Sequence, residues 1–519
     1  MARIAAAFGY LLCLSAAASS TSSAPDAPGP ADAAQAAPRA TADADPVSAS
    51  VVKVYATLRN PDLKKPWTKS DPEEVSGSGF IIDGQRIVTN AHVVAYSSTI
   101  EIQANGSGDR LPAHVEFLST GIDLALLTVD DPSFFSSHPA LQMTTEPPSP
   151  KDPVLVYGYP AGGQSLSITR GIVSRIEYAP YNAGAGGLRV QIDAAINHGN
   201  SGGPAIINGK LAGVAFSFLN EAQNIGYIIP TEELQLILDQ RKTGQYTGRP
   251  VALDGMQTLD NPALRRFLKI DPSVHGIVVS RPYEDEASYP IRQWDVITRI
   301  GDVDVDDQGN VPLKGDVRVN MAYFFLKEAK DGYVPVTVAR GGKLVKTRLP
   351  VARTVPTLFP DLEGKYPSYF IFGPMVFSRA SRLLIGALAV DTPTVRYVTD
   401  MASPLVTRMS DRPSTPDEEL VFIAAPFFPS PLTAGYRNPQ YRVVKAVNHT
   451  PITSLRRLVR VLRDSTSPFV VIEFADTRGD RLIFHRSELF SSTPTILAEN
   501  GVRTQGSADM MAEWKSKGE

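Results

Sequence analysis

The sequence at positions 194–204 reads Ala194-Ala195-Ile196-Asn197-His198-Gly199-Asn200-Ser201-Gly202-Gly203-Pro204. A serine that attacks a carbonyl needs hydrogen-bond donors that already point at the developing oxyanion. Gly199 permits a turn that a side chain would block, so the backbone amides of Gly199 and Ser201 can converge on one oxygen. Gly199, Asn200 and Ser201 are therefore the predicted oxyanion hole, although a glycine-rich turn between two strands would have the same composition.

Two segments further upstream carry the other groups that such a serine needs. His92 lies in a β-rich run, and Asp123 enters an almost wholly apolar strand. The order His, Asp, Ser is that of the chymotrypsin-type arrangement, whereas an esterase would carry a Gly-x-Ser-x-Gly elbow followed by Asp and then His. The chemistry assigns the roles: Ser201 attacks the carbonyl, His92 takes and returns the proton, and Asp123 holds the imidazole tautomer.

The catalytic segments resemble those of the HtrA/Deg (protease Do-like) serine proteases, in particular the branch known from plants and some bacteria. The resemblance extends from residue 47 to residue 510 and rests on six runs, namely residues 89–94, 123–127, 156–160, 171–175, 199–204 and 224–230. It implies an ATP-independent serine endopeptidase that cleaves misfolded or unfolded proteins, and a homo-oligomer that is a trimer or a multiple of trimers. Asn200 stands where zymogen-type relatives carry aspartate, so activation is expected from loop ordering rather than from propeptide cleavage.

Short β-rich runs broken by Gly, Pro and Asn-Gly fill residues 47–229, a pattern typical of an all-β barrel architecture, and an amphipathic helix is predicted to begin at Thr231. The predicted fold class is mainly β. It consists of a chymotrypsin-like double β-barrel protease domain at residues 47–250, followed by two PDZ-like α+β domains. The resemblance implies two six-stranded barrels with the triad at their interface.

The specificity pocket can be placed by its spacing from the serine. Its floor in this fold usually lies six residues before the nucleophile, which is Ala195, and its wall strand would contain Val214, Ala215 and Phe216. None of these residues is acidic, and burying an unpaired lysine or arginine is expensive. We therefore expect cleavage after small or medium aliphatic residues.

The C-terminal half contains an internal repeat. Residues 294–305 parallel residues 441–452, and residues 276–279 parallel residues 420–423. In each copy, strands, a tight turn and a helix follow one another as in the PDZ fold, although a generic β-hairpin repeat would look similar. The predicted domains are PDZ-like domain 1 at 251–355, PDZ-like domain 2 at 356–505 and a polar tail at 506–519.

PDZ domains bind an extended peptide at a sheet edge and hold its carboxylate with backbone amides. In the first copy the binding loop would lie near residues 255–259, where Gln257 replaces the second glycine of the usual motif. This replacement argues against tight carboxylate capture. In the second copy the equivalent segment, residues 366–377, is long and apolar, and we interpret that copy as degenerate and structural.

The N-terminus reads as a targeting segment. Residues 1–20 predict a secretory signal peptide, because Arg3 precedes a short apolar run and small residues follow it. An uncleaved anchor and a plastid transit peptide are the alternatives. Residues 21–46 are rich in Ala and Pro and predict a disordered linker. The expected location is periplasmic or secreted, or an organellar lumen if the source is eukaryotic.

Composition excludes other classes of partner. The formal net charge of −3 gives no electrostatic reason to expect nucleic acid or an anionic membrane. The sequence holds no cysteine/histidine set at zinc spacing, no Walker loop and no dinucleotide fingerprint, so neither metal nor cofactor is expected. The expected partners are unfolded protein or peptide substrates, with no integral membrane segment after signal removal. The alternative function is a PDZ-based chaperone or scaffold with little proteolysis, although such a protein has no chemical need for the triad.

Overall fold

The computed structural model describes residues 45–181, 186–216 and 226–516. The predicted signal peptide at 1–20 and nearly all of the predicted linker at 21–46 lie outside these residues. No helix in the described ranges combines the length and the apolar character that crossing a membrane requires.

The first barrel is built from six short strands that bury their apolar side chains. They are β1 (Val51–Leu58), β2 (Glu73–Ile82), β3 (Arg86–Thr89), β4 (Ser97–Ala104), β5 (Leu111–Ser119) and β6 (Leu124–Val129). The sheet closes in the order β1-β2-β3-β6-β5-β4. Alternate residues of β1, namely Val52, Val54 and Ala56, join one core cluster, as the two-residue period of a strand requires. A short helix, α1 (Ala91–Val94), follows β3, and another, α2 (Phe134–Ser137), follows β6.

The second barrel has the same number of strands and a matching order. Its strands are β7 (Pro153–Gly158), β8 (Ser167–Pro180), β9 (Gly186–Ile192), β10 (Pro204–Ile207), β11 (Lys210–Phe216) and β12 (Gly226–Pro230). They close as β10-β11-β12-β9-β8-β7, and helix α3 (Thr231–Thr243) follows. The two closed barrels confirm the predicted mainly β, double-barrel architecture.

Residues 251–352 form a seven-stranded sheet, a separate two-stranded sheet of β18 and β19, and two helices. The strands are β13 (Val251–Ala252), β14 (Gly255–Gln257), β15 (Ile277–Arg281), β16 (Val296–Ile300), β17 (Val303–Asp304), β18 (Asn310–Lys314), β19 (Val317–Asn320), β20 (Tyr333–Arg340) and β21 (Lys343–Ala352). The helices are α4 (Pro262–Leu268) and α5 (Ala322–Glu328). The main sheet runs β13-β21-β20-β16-β15-β14, so β14, in the predicted peptide-binding loop, is an edge strand.

A buried charge network joins this sheet domain to the second barrel. Arg249, in the connection after α3, donates to both carboxylate oxygens of Glu233, at 3.1 and 3.0 Å, and to Glu232 at 2.9 Å. Tyr323 of α5 donates to the other oxygen of Glu232 at 3.1 Å. Because Arg249 and Glu233 are nearly fully buried, each charge depends on the other for its solvation.

The C-terminal domain combines two small sheets with six helices. Its strands are β22 (Tyr369–Phe372), β23 (Met375–Arg379), β24 (Val421–Ile423), β25 (Val444–Val447), β26 (Thr450–Pro451), β27 (Phe469–Phe474) and β28 (Arg481–His485). Its helices are α6 (Arg382–Val390), α7 (Thr392–Asp400), α8 (Pro404–Thr407), α9 (Leu455–Asp464), α10 (Arg486–Glu499) and α11 (Ala508–Lys515). The sheets are ordered β22-β23-β24 and β26-β25-β27-β28.

The prediction of a polar tail at 506–519 is wrong for the described residues 506–516. Helix α11 lies there, its Met510 is buried in the domain core, and Glu513 accepts from Arg460 at 2.6 Å. The segment before it runs along β22, where the Ile371 amide donates to Gln505 O at 2.7 Å. The polar composition misled because Glu513 of this helix is paired with arginines of α9 rather than solvated.

Candidate active site

His92 and Asp123 meet within the first barrel. His92 lies on α1, directly after β3, and Asp123 immediately precedes β6, which pairs with β3. The ring Nδ1 of His92 is 2.7 Å from Asp123 Oδ2, and the His92 amide donates to Asp123 Oδ1 at 2.9 Å. A carboxylate only accepts, so Nδ1 carries the proton and Nε2 is left free to act as a base.

Asp123 is held firmly from the surrounding backbone. Its side chain is only 5 % exposed, whereas that of His92 is 46 % exposed. The buried side-chain amide of Asn90 donates from Nδ2 to the backbone carbonyl of Asp123 at 2.9 Å. Asp123 also has a φ of +58°, a left-handed conformation that aspartate tolerates better than most residues. This backbone directs both carboxylate oxygens at His92.

The environment of His92 shifts its protonation. The protein around the ring displaces solvent, which lowers the pKa of His92, but the charge of Asp123 and its hydrogen bond raise it, and the result lies above the ordinary 6.5. The protonated ring therefore stabilises the fold fully below pH 6.5, and that contribution is lost as the pH rises through the pKa of the folded protein.

Activity is expected to have the opposite pH dependence, because a general base must be unprotonated. We expect kcat/KM to rise with pH through a single apparent pKa above 6.5, the value for an unperturbed histidine. Initial rates on a peptide substrate between pH 5 and 9 measure this limb. A midpoint below 6.5 would mean that desolvation, which lowers the pKa of His92, outweighs Asp123, which raises it, and would contradict this prediction.

The turn that carries Ser201 is anchored to the wall strand of the predicted pocket. The Gly202 amide donates to Ala215 O at 2.9 Å, and the Ala215 amide donates to Gly203 O at 2.8 Å. Gly199 has a φ of +95°, and a Cβ at this position would lie 2.4 Å from Tyr159 O, so only glycine fits. Ser201 is nearly buried, and its hydroxyl makes no hydrogen bond within the described residues, which is common before substrate binds.

Two backbone amides of the turn are left for an oxyanion. In the described part of the chain the amides of Gly199 and Ser201 donate to no other group, whereas the amide of Asn200 donates to Asn197 O at 3.0 Å. The inclusion of Asn200 as a donor is therefore corrected, because its amide already has an acceptor. The Gly199 and Ser201 donors remain a prediction.

The predicted pocket residues differ in exposure. Ala195 is exposed, as an open pocket floor would be, while Val214, Ala215 and Phe216 are buried. The Phe216 ring lies 5.7 Å from that of Tyr181. Residues 182–185 and 217–225, which continue from these aromatic residues, lie outside the described chain. No group of three or more potential ligand residues suited to a metal ion occurs among the residues that are described.

Ser78 is a buried residue of the site that the sequence pattern does not reveal. It lies in β2, yet its amide donates to Ser201 O at 2.9 Å and its hydroxyl donates to Gly199 O at 2.7 Å. The sequence signal is weak, consisting of Gly77 and Gly79 on either side. These contacts bring the turn of the second barrel against the first barrel.

Comparison with known proteins matches both ends of this architecture. Residues 77–214 match the family described as trypsin-like peptidase domain, and residues 359–509 match the PDZ domain. Protease Do-like 4, mitochondrial, of Arabidopsis thaliana is 35 % identical over 418 residues, covering 80 % of this chain and 76 % of the relative. Protease Do-like 2, chloroplastic, of the same plant is 32 % identical over 469 residues, covering 89 % and 75 %.

Among solved structures, the HtrA-type protease AlgW with tripeptide matches with a TM-score of 0.46 and 25 % identity, covering 60 % of this chain and 98 % of that chain. The sequence relationship to the curated proteases is extensive enough to establish the family on its own. The chain belongs to the protease Do-like (HtrA/Deg) family and is a trypsin-like serine endopeptidase with a C-terminal PDZ domain.

Proposed function

We propose that this endopeptidase acts in protein quality control and cleaves misfolded or unfolded proteins without ATP, using Ser201 as its nucleophile. Ser201 Oγ attacks the substrate carbonyl, and His92 Nε2 takes the hydroxyl proton and returns it to the leaving amine. Asp123 stabilises the imidazolium that forms between these two steps. The amides of Gly199 and Ser201 donate to the oxyanion of the tetrahedral intermediate.

The observation that carries this proposal is the close approach of the His92 segment to the Ser201 turn. A Cβ on Gly202 would lie 2.5 Å from Thr89 Oγ1 and 3.1 Å from the Asn90 amide. The nucleophile turn thus sits directly against the residues that precede His92. Glycine is required at 202 for both its φ of +86° and this approach. Such contact between the two barrels supports a single catalytic centre.

The function is tested by incubating the purified protein with casein, with and without ATP and a chelator. We expect equal cleavage under all these conditions and none with Ser201→Ala. A PDZ-based scaffold or chaperone would instead suppress aggregation of an unfolded protein without cutting casein. Strict dependence on ATP, or casein left intact by the wild type, would contradict the proposal.

Specificity is proposed from the pocket residues, none of which is acidic. We expect cleavage mainly after Val, Ala, Ile or Leu and poorly after Lys or Arg, because a buried cation would lack a partner among these four residues. The preference should be broad, since one methylene in such a pocket discriminates by only about 1–3 kcal/mol. Mass-spectrometric mapping of cleavage sites in an unfolded protein measures the distribution.

A matched pair of variants makes the specificity test sharper. Ala195→Asp would place a carboxylate at the proposed floor and is expected to shift cleavage toward Lys and Arg, whereas Ala195→Asn has nearly the same size without the charge and is not. A dominant Lys/Arg signature in the wild type, absent from Ser201→Ala, would show that the pocket is assigned wrongly. So would an active Ala195→Asp enzyme with an unchanged preference.

The remaining proposals concern organisation and location. We propose domains at 47–250 for the protease and at 251–355 and 356–505 for the two PDZ-like domains, with the second domain extended by α11. We also propose assembly into a trimer or a multiple of trimers.

The relatives are named as mitochondrial and chloroplastic proteins. An organellar lumen, or the periplasm or exterior of a bacterium, is the compartment that residues 1–20 would address.

A further inference from the structure

Ser78 connects three separate segments around the nucleophile. Its hydroxyl donates to Gly199 O at 2.7 Å and accepts from the Tyr159 amide at 2.8 Å. Its own amide donates to Ser201 O, and its carbonyl accepts from Thr89 Oγ1 at 2.7 Å. The side chain is fully buried, so water does not compete for these partners. Ser78 of the first barrel thus bonds to both neighbours of Asn200 in the second barrel, Gly199 and Ser201.

The orientation of the two proposed oxyanion donors depends on three consecutive peptide groups. The group before Gly199 is fixed by the Ala161 amide, which donates to His198 O at 2.7 Å. The group before Ser201 is fixed by the Gly203 amide, which donates to Asn200 O at 3.0 Å.

The middle group, between Gly199 and Asn200, has the Ser78 hydroxyl on its carbonyl. Its amide, that of Asn200, donates to Asn197 O at 3.0 Å, and among the described residues it is the one group of the three whose carbonyl is held by a side chain.

We propose that Ser78 is a positioning residue for the oxyanion hole. Glycine has the widest backbone freedom of any residue, so Gly199 keeps its φ of +95° only as long as the adjoining peptide groups are held. The Ser78 hydroxyl holds one of them and at the same time satisfies the Tyr159 amide. This inference rests on the proposed roles of Ser201 and Gly199, and it extends the site to a residue that does not touch the substrate.

Ser78→Ala removes the hydroxyl and leaves the Gly199 carbonyl and the Tyr159 amide without this partner. We expect kcat to fall about 10- to 100-fold with KM nearly unchanged, which is less than the roughly 10²–10³-fold loss when an oxyanion donor itself is removed. The affinity for a peptide aldehyde, whose hemiacetal oxygen occupies the hole, should weaken by the same factor as kcat/KM. A merely structural effect would not produce this parallel loss.

Ser50→Ala is the matched control. Ser50 is also buried, directly before β1 of the first barrel, and its hydroxyl donates to a backbone carbonyl, that of Pro139, at 2.6 Å. Its removal is expected to lower Tm, as Ser78→Ala does, while leaving kcat and aldehyde affinity unchanged. If Ser78→Ala does not fold, Ser78→Cys retains a weak S–H donor and should give a kcat below that of the wild type.

The outcomes separate this inference from the proposed function. If Ser201→Ala is inactive but Ser78→Ala has the kinetics of Ser50→Ala, the positioning role is wrong and the proposed function stands. The role is also wrong if KM alone changes, or if Ser78→Cys retains the full kcat. If Ser201→Ala remains active, the proposed function fails first.

Discussion

Ser201→Ala is expected to abolish peptide cleavage, with a loss of about 10⁶-fold in kcat. The alanine lacks the oxygen that forms the acyl-enzyme, and no other hydroxyl is placed in the turn between Gly199 and Gly203. The fold should be unaffected, because the Ser201 hydroxyl makes no hydrogen bond to the described residues. Initial rates on a fluorogenic peptide with an aliphatic residue at the cleaved bond measure the loss, and thermal unfolding measures the fold.

The control for this prediction is the behaviour of combined substitutions. Because the triad acts as a unit, His92→Ala should cost nearly as much as Ser201→Ala, and the double variant little more than either. Additive losses would mean that the two residues act independently. Residual turnover above a few per cent in a preparation free of other proteases would mean that Ser201 is not the nucleophile.

Much of the fold could be predicted because it is specified locally. The β-rich runs between residues 47 and 230 are short, apolar and separated by turn residues, and they became the twelve strands of two closed barrels. Helix α9 could also be recognised, since Leu455, Leu458, Val459 and Leu462 repeat at helical spacing and are all buried. In both cases the residues that signal the element are neighbours in sequence.

The segments of the candidate site were equally visible, but the contacts between them were not. The Ser78 hydroxyl and Gly199 O are 121 residues apart in sequence, and a serine between two glycines has no local pattern that predicts such a partner. Asn200 was likewise included in the predicted oxyanion hole, because only the folded turn shows that its amide is already bonded to Asn197 O. The sequence indicates which donors and acceptors are present, whereas long-range packing decides which of them are still available to a substrate.

The docking of the C-terminal domain shows the same limit. Its Tyr366 donates to Arg59 O at 2.8 Å and lies 5.6 Å from the ring of Tyr96, which follows α1 closely. Asp361 accepts from the hydroxyl of Thr120 at 2.8 Å. Thr120 lies three residues before Asp123, the carboxylate of the proposed triad. Most apolar side chains of residues 366–377 pack in the core of the C-terminal domain itself, and the sequence did not indicate that Tyr366 would contact the barrel that carries His92 and Asp123.

Asp123→Asn is expected to reduce kcat by about 10⁴-fold at neutral pH while the geometry stays nearly the same. The amide can donate a proton toward His92 Nδ1, which favours the tautomer in which Nε2 carries the proton and cannot act as the base. Loss of the negative charge also removes the main cause that raises the pKa of His92, so the acidic limb of any remaining activity should move to lower pH. Steady-state kinetics of the purified variant across pH 5–9 measure both effects.

Asp130→Asn is the matched control, because Asp130 also forms a pair with a histidine, lying 3.2 Å from His114, but its side chain is 77 % exposed. That pair is screened by water and is remote in sequence from the nucleophile turn, so kcat and its pH profile should match those of the wild type. If Asp123→Asn were as active as Asp130→Asn at pH 7, another carboxylate would have to orient His92. The assignment would fail in the same way if the acidic limb of Asp123→Asn stayed where it lies in the wild type, because the raised pKa of His92 would then have a different cause.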